Sequence, residues 1–440
     1  MNNRLDGYGD TGMDSGMGGR RGGISLRNLR TFSSLKNPVY RIFYFGMLGQ
    51  MAGMNIQIFA GVWLLMRMTD SPIIVGAMTF AHALPMLSLS LFGGALADRV
   101  QKKYILLIGQ IVSILVSLGT ALALSLNYLS PERTFAILGF VIPSWSILVA
   151  ASFFQGTVMA FMMPSLQTIV PEIVGEEQLM NAVSLSNMGM NTLRVFAPAV
   201  TGFLIKAFDY EVVYYVMASM HFLSAIFMVF LPHTRKTIVP VSSAMASIKA
   251  GVSYLRNETT VLLVLILTLL TVILSMPYQM LLPFFCEDIL NVDEGGGGVL
   301  MSVSGAGAIA SSLVLASLPN KKRGLMMLIS GILLGIALAG FSFSSLWSLA
   351  LFTITFVGIG QSSNMALGTT LVQYYVEADY RGRIMSILMM QFGFMSLGTF
   401  IAGTMAESMG VQWALGGFAI ALFFISTLAL VFVPRLRKLD

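Results

Sequence analysis

The sequence predicts an all-α membrane protein with twelve transmembrane helices in two parallel six-helix repeats. Of its 440 residues, 56% are hydrophobic and only 10% are charged, whereas soluble domains carry about 25% charged residues. Twelve apolar stretches reach the length of about 20 residues that a helix needs to cross a bilayer. Residues of the first half also recur in the second half at fixed offsets.

The predicted spans are long, uniformly apolar runs, and such runs are helical because the strands of membrane barrels are shorter and alternate in polarity. The first run is too long for a signal peptide, and no cleavage site follows it. The spans lie at 42–66, 73–97, 104–126, 145–170, 180–205, 212–231, 260–285, 297–318, 325–344, 347–372, 384–407 and 412–433.

The basic residues predict the orientation of these spans. Twenty-two of the 26 Lys and Arg residues fall in segments on one side, and three (Arg67, Arg133 and Lys206) fall on the other. Since cytoplasmic loops carry the excess of positive charge, both termini are predicted to be cytoplasmic in a multi-pass protein of the cell (inner) membrane. A single cysteine, Cys286, excludes an intramolecular disulfide and a cysteine metal cluster.

Composition divides the chain into four parts. Residues 1–38 are rich in Gly, Asp, Ser and Arg and predict a disordered cytoplasmic tail, with contact to anionic lipid as the less favoured alternative. Residues 39–232 and 259–440 hold the two six-helix bundles. The linker between them, 233–258, predicts a short amphipathic surface helix, with apolar residues at Met245, Ile248, Val252 and Leu255.

The internal repeat has two offsets, 222 residues early in each half and 202 residues later. The difference of 20 is explained by an extension at 129–144, which is predicted to lie outside between spans 3 and 4. Parallel repeats related by an axis along the membrane normal predict a site between the halves, near the midplane. The matched pairs include Met54 with Met276, Gln57 with Gln279, Trp145 with Trp347, and Gly156 with Gly358.

A charged turn between spans 2 and 3 carries a motif. It follows Gly93 and has the form Gly94-x-Leu96-Ala97-Asp98-Arg99-x-x-Lys102-Lys103. This motif resembles the signature of the loop between helices 2 and 3 in the major facilitator superfamily, with Gln101 in place of the usual glycine. The segments 35–50, 164–185, 191–202 and 380–387 resemble the branch that contains the enterobactin exporter and the macrolide efflux proteins.

The resemblance implies that Asp98 contacts the start of span 11, near Arg381 and Arg383, when the inner side is closed. The basic cluster of the motif recurs in the second half at 321–323, but the aspartate is replaced there by Asn320. We therefore expect the bases to set topology and Asp98 to act as a gating latch. The alternative is that the loop supplies only positive charge. Gly93 and Gly94 are expected to permit close helix approach.

The resemblance also implies that spans 1, 4, 7 and 10 line the substrate cavity. An intramembrane arginine in span 5, Arg194, is a functional candidate because its burial is costly; the alternative is a structural cation. Thirty-two methionines favour a cavity for bulky amphipathic compounds, although most of them would pack helices or face lipid. The polar candidates on the lining spans are Asn55, Gln57, Gln155, Gln279, Gln361 and Asn364.

The sequence gives less evidence for the energy source of transport than for the fold. No phosphate-binding glycine loop occurs, and no acid lies deep in a span. His82 and His221 titrate in a suitable range, and Glu287 lies at an outer end, so these three are the coupling candidates. The alternative is that each has no role in coupling, the histidines being structural and the acid solvated. Proton antiport is what the family resemblance implies.

Together these observations predict a secondary active exporter of drug- or siderophore-like molecules that works by alternating access. A proton-coupled importer and a non-transporting sensor or scaffold remain as alternatives. The expected partners are a small-molecule substrate, protons and membrane lipid, and the expected state is a monomer. No enzymatic activity, cofactor, metal site or nucleic-acid contact is expected.

Overall fold

The computed structural model describes residues 30–137, 140–233, 253–318 and 321–439. Most of the predicted tail and the predicted linker helix around Met245 lie outside these residues. Within the described part the chain is helical almost throughout, which agrees with the predicted fold class.

The described part of the first half contains a 3-10 helix, five α-helices and a small β-hairpin. The hairpin occupies the extension that the sequence predicts outside the membrane, and its strands are antiparallel, with Thr134 opposite Pro143. The elements are a 3-10 helix (Arg30–Lys36), α1 (Pro38–Thr69), α2 (Pro72–Arg99), α3 (Lys102–Ser125), β1 (Thr134–Ile137), β2 (Phe140–Pro143), α4 (Ser146–Ile173) and α5 (Glu176–Val229).

The last residues of the predicted tail form a 3-10 helix that contacts the first half. Ser34 lies in the 3-10 helix, and both its amide and its hydroxyl donate to Asn181 Oδ1, at 3.0 and 2.6 Å. Asn37 donates from its side chain to the Ile173 carbonyl at 3.0 Å and caps α1. These bonds hold the segment against α4 and α5 before the first membrane helix begins.

The second half begins with a helical turn at 253–257 and contains several interrupted helices. The predicted seventh span is divided at Met276, and the helix that leads into the predicted eleventh span starts at Ala378, six residues early. The elements are α6 (Thr259–Ser275), α7 (Pro277–Phe285), a π-helical turn (Cys286–Leu290), α8 (Glu294–Ser317), α9 (Arg323–Ser342), α10 (Trp347–Tyr375), α11 (Ala378–Met389), α12 (Gln391–Met409), α13 (Val411–Phe432) and α14 (Pro434–Arg437).

Helix α5 is too long for one span. Its 54 residues extend over about 80 Å, against a hydrocarbon core of about 30 Å. Asp209 has φ 73° and ψ 170°, and this break falls between the predicted fifth and sixth spans. Ten helices of the described part are long and apolar enough to cross a membrane, and α10 is not among them. The count of twelve spans therefore stays a prediction.

Helix contacts within each half follow the sequence repeat. Gly156 of α4 lies directly against the His82 carbonyl of α2, and Gly358 of α10 lies against the Ser304 carbonyl of α8. The two glycines are 202 residues apart and the two partners are 222 residues apart, which are the offsets of the repeat. Because a β-carbon at either glycine would collide with the carbonyl, the backbones touch here in both halves.

Contacts between the halves obey the same symmetry. A β-carbon at Gly76 of α2 would lie 2.9 Å from Phe400 Cα of α12, and one at Gly298 of α8 would lie 2.8 Å from the Pro198 carbonyl oxygen of α5. The residues again differ by 222 and 202. The halves therefore meet through two related helix pairs, α2 with α12 and α5 with α8.

Candidate functional site

One face of α5 carries a row of exposed polar residues, which we term the α5 stripe. It consists of Ser184, Asn187, Asn191 and Arg194, all exposed. Their spacing of three, four and three residues places them on one side of the helix. We term the end of the molecule that carries Lys102 the inner end, because the sequence predicts it to be cytoplasmic, and the opposite end the outer end.

The α5 stripe lies between two packed faces of its helix. On one side Ser186 is 3.0 Å from the Tyr40 hydroxyl of α1, and on the other the Ser302 hydroxyl of α8 donates to the Val195 carbonyl at 2.7 Å. Since α1 and α8 belong to different halves, the stripe faces the region between them. A separate side of α5, which we term the lipid-type face, exposes apolar residues suited to lipid, including Phe196 and Phe203.

The face of the α5 stripe is accessible towards the inner end and closed towards the outer end. Beyond Arg194 the same face continues to Pro198 and Thr201, which are buried where Gly298 packs on Pro198. The lipid-type face stays exposed over the same length, since Phe203 is 56% exposed. The stripe therefore lines a cleft between the halves that opens at the inner end.

Arg194 is the deepest residue of the stripe. It follows Glu176 by eighteen residues and precedes the break at Asp209 by fifteen. Among the described residues its guanidinium forms no ion pair and no hydrogen bond. An arginine at this depth requires water or an anion to reach it, and the open cleft gives such access.

Two predicted cavity residues of the second half contact each other. Gln279 of α7 donates from Nε2 to Gln361 Oε1 of α10 at 3.2 Å. The amide of Gln361 in turn lies 3.1 Å from the Met276 sulfur. This pair therefore holds the interruption between α6 and α7 against α10.

Two other predicted cavity residues are engaged in helix packing. Gln155 is 5% exposed and accepts a hydrogen bond from Ser113 of α3 at 3.1 Å. Asn364 is 3% exposed and donates to the Met327 carbonyl of α9 at 3.1 Å. These contacts differ from the cavity-lining role that the sequence predicts, because the faces that carry both side chains turn towards neighbouring helices of the same half.

The predicted cavity residues of α1 are partly exposed. Asn55 donates to the Met51 carbonyl one turn earlier, at 2.7 Å. Gln57 makes no hydrogen bond with any described residue. Of the two, Gln57 therefore has its whole amide available for a ligand.

A group of charged residues joins the halves at the outer end. Arg67, at the end of α1, pairs with Glu287 at 2.8 Å and with Glu294 at 3.1 Å. Glu294 begins α8, is 7% exposed and accepts a hydrogen bond from the Tyr210 hydroxyl of α5 at 2.8 Å. We term these four residues the outer bridge. It holds the outer ends of α1 and α5 against those of the second half.

Two further contacts reinforce this closure. Lys206 pairs with Asp293 at 2.7 Å, and Ser71 donates to Glu407 at 2.9 Å. The hydrogen bond from Lys206 holds the pKa of the Asp293 carboxyl below its ordinary value, so this pair stays ionised at neutral pH. Within the described residues, every ion pair that joins the halves lies at the outer end.

Sequence reasoning missed most of the outer bridge. It treated Arg67 as a topological charge and Glu287 as a coupling candidate, and it did not select Tyr210 or Glu294. The available signal was Glu294 itself, an acid that precedes four glycines and aligns with Pro72 in the repeat. An acid at the start of a membrane span that is followed by close-packing residues needs a partner.

The two candidate histidines lie in helix interfaces of the first half. His82 Nδ1 is 3.1 Å from the Ser152 carbonyl oxygen. His221 is 3% exposed, with Nδ1 3.0 Å from Gln110 Oε1. Its Nε2 is buried and has no partner among the described atoms. Both rings therefore connect helices of the same half in this conformation.

The motif at the inner end of α2 departs in part from expectation. Gly93 packs against the Ala160 carbonyl, whereas a β-carbon at Gly94 would meet no atom within 4 Å. Only Gly93 therefore serves close helix approach. Leu96 and Arg99 are exposed. The Asp98 side chain lies outside those that the structure describes, so its contact with span 11 stays a prediction.

Lys102 has a structural partner that the sequence did not indicate. It is 7% exposed and forms an ion pair with Glu172 of α4. Lys103 beside it is more accessible. Lys102 therefore fixes the start of α3 to α4 in addition to any role in topology.

The bases expected opposite Asp98 lie on α11. Arg381 and Arg383 are both exposed, and the Arg383 guanidinium lies 5.4 Å from the centre of the Tyr380 ring. That ring stacks on Tyr254 with centroids 4.4 Å apart. The start of α11 is thus tied to the end of the linker by aromatic stacking.

Comparison with known families agrees with this architecture. Residues 29–440 match the family model described as transmembrane secretion effector. The chain belongs to this family of major facilitator transporters. It is therefore a multi-pass membrane transporter.

Several curated relatives align over most of the chain. A staphyloferrin A transporter of Staphylococcus aureus is 25% identical over 86% of this chain and 91% of its own. Macrolide efflux protein A of Streptococcus pyogenes is 23% identical over 82% and 88%. The enterobactin exporter EntS of Escherichia coli is 23% identical over 79% and 80%.

Solved structures share the fold at low identity. The nucleoside transporter NupG aligns with a TM-score of 0.68 at 13% identity, over 88% of this chain and 99% of that one. A bacterial homologue of the human lysosomal transporter Spinster aligns with a TM-score of 0.64 at 14% identity, over 91% and 96%. These neighbours show the major facilitator fold.

Proposed function

We propose that the protein is a secondary active transporter that exports amphipathic small molecules by alternating access and proton antiport. The observation that carries the proposal is the face of α5 that bears the stripe, which is exposed as far as Arg194 and buried beyond it at Pro198 and Thr201. A path that is open on one side and closed on the other is what alternating access requires of each end state. The export of drug- or siderophore-like compounds is supported by the aligned relatives, which include a macrolide efflux protein and an enterobactin exporter.

The proposed organisation is the one predicted from the sequence. The cytoplasmic tail covers 1–38, of which the end is ordered, and the bundles cover 39–232 and 259–440, joined by the linker 233–258. Both termini face the cytoplasm of the inner membrane, and the transporter works as a monomer. The excess of Lys and Arg on one side of the spans supports this orientation.

Export requires the inner end to close and the outer end to open. In the proposed cycle, opening the outer end separates Arg67 from Glu287 and Glu294, and closing the inner end brings Asp98 to the start of α11. Glu287 is then the coupling candidate whose charge state changes the closure directly, because its carboxylate contacts Arg67. His82 and His221 would act only through the packing of the first half.

Transport into inverted membrane vesicles tests this proposal. Vesicles with an acidic interior should accumulate a fluorescent amphiphile, and a protonophore should abolish the accumulation. An importer would instead accumulate the compound in right-side-out vesicles, and a sensor or scaffold would show no difference from vesicles without the protein. The Asp98→Asn variant, inserted at wild-type amounts, supplies the matched background.

A further inference from the structure

The α5 stripe carries a positive charge that no described residue neutralises. Arg194 is exposed and lies deep in the span, and its guanidinium forms no ion pair in the part of the chain that the structure covers. Two of the three bases predicted on the outer side differ in this respect, since Arg67 and Lys206 each contact a carboxylate. The cleft therefore presents one accessible cation without a counter-charge.

The repeat shows that this charge is a feature of one half only. The position equivalent to Arg194 in the second half is Ser396, which is 4% exposed and carries no charge. If the cation served only to pack helices or to attract water, the equivalent position of the second half would be expected to carry a cation as well. The asymmetry favours a role towards a ligand that binds in one orientation.

We propose that Arg194 binds the carboxylate of an anionic amphiphile, with Asn187 and Asn191 as neutral hydrogen-bonding neighbours. This inference rests on the proposed transport function and names the class of substrate. The planar guanidinium matches a carboxylate with two parallel N–H···O bonds. Bonds between two charged groups of this kind are about twice as strong as bonds between neutral groups.

The inner part of the same face suits the apolar portion of such a molecule. Met180 and Val183, which precede the stripe, are 79% and 40% exposed. Met180 lies one turn before Ser184 on the line of the stripe, so an apolar surface at the mouth leads to amides and then to the cation. An extended amphiphile would therefore lie along α5 with its acid end at Arg194.

Paired probes test the inference separately from transport. A panel of fluorescent aromatic amphiphiles is prepared, each as a carboxylate and as the matching carboxamide, and binding to the purified protein is measured by fluorescence anisotropy. Wild type should bind the carboxylates at least tenfold more tightly on average. Arg194→Gln should lose that preference while its affinity for the carboxamides changes less than twofold, and Arg194→Lys should retain part of it.

The control variant is Thr192→Ala, which shortens an exposed side chain on the lipid-type face, one turn before Phe196 and away from Arg194. It should keep the preference for carboxylates. Equal affinity of wild type for both series, or an equal loss of both series in Arg194→Gln, would overturn the inference. Selective binding with no transport of either series would support the role of Arg194 and count against the proposed transport function.

Discussion

Removal of the positive charge of Arg67 tests the role of the outer bridge. The Arg67→Gln substitution breaks both ion pairs of this residue and leaves Glu294 with the Tyr210 hydroxyl as its remaining bridge partner. Because these contacts join the two halves, their loss stabilises the conformation that opens at the outer end relative to the one described here. The Glu287→Gln substitution, at the half-exposed acid that also contacts Arg67, removes only one of the pairs.

The magnitude follows from the exposure of each partner. Arg67 and Glu287 side chains are 41% and 42% exposed, so their pair contributes about 0.5 kcal/mol. The Glu294 side chain is 10% exposed, and loss of its cation costs about 1.5 kcal/mol, less than for a fully buried pair because Arg67 itself reaches solvent. Together about 2 kcal/mol shifts the ratio of the two conformations about thirtyfold.

Distance measurements between spin labels report this ratio. Labels are placed at the outer end of each half with Glu132→Cys and Ser345→Cys, two exposed positions, in a Cys286→Ser background. Arg67→Gln should populate a longer distance strongly, Glu287→Gln only slightly, and Arg67→Lys to an intermediate extent. An unchanged distance distribution in Arg67→Gln would refute the assignment of these residues to closure of the outer end.

Three further predictions concern single positions. Asp98→Asn should abolish efflux while membrane insertion stays normal, and full efflux in that variant would remove the latch hypothesis. Gly156→Ala should lower the free energy of unfolding by about 1–3 kcal/mol through overpacking, and the melting temperature of the purified protein should fall with it. Gly119→Ala, where a β-carbon meets no atom within 4 Å, should leave the melting temperature unchanged. Equal melting temperatures of the two variants would contradict the close backbone contact at Gly156. Since the pKa of Asp293 is lowered by Lys206, this pair loses stability only when the pH falls through that lowered pKa. The change in outer label distance that Asp293→Asn produces should therefore be the same at pH 8 and at about pH 5.5, and an effect that disappears at the lower pH would contradict this assignment of the pair.

The apolar runs and the repeat were strong enough to predict the fold class. A run of about 20 apolar residues forms a helix in the membrane, because a helix satisfies its own backbone hydrogen bonds. The repeat offsets also relate backbone contacts of the two halves, such as that of Gly156 with His82. The break at Asp209 falls in the gap that the sequence predicts between spans 5 and 6, whereas the interruption at Met276 was not predicted, because the residues on either side of it remain apolar. Local sequence does not report a change of helix direction that tertiary packing imposes.

The site was predicted less completely than the fold. In α10 the polar residues 361–364 occupy a full helical turn, so sequence alone could not separate Gln361, which contacts Gln279, from Asn364, which turns to α9. The outer bridge joins Arg67 to acids more than 200 residues away. Such pairs depend on how the halves assemble, which no local pattern encodes.

The most direct test of alternating access along the α5 stripe is thiol labelling from each side of the membrane. Asn187→Cys, in a Cys286→Ser background, is exposed to a membrane-impermeant maleimide on either face of sealed vesicles, with Thr192→Cys on the lipid-type face as the control. Asn187→Cys should react from the inner side, added Arg67→Gln should give reaction from the outer side, and Thr192→Cys should stay unreactive. Equal labelling of both positions, or reaction of Asn187→Cys from one side regardless of Arg67, would contradict alternating access along the stripe.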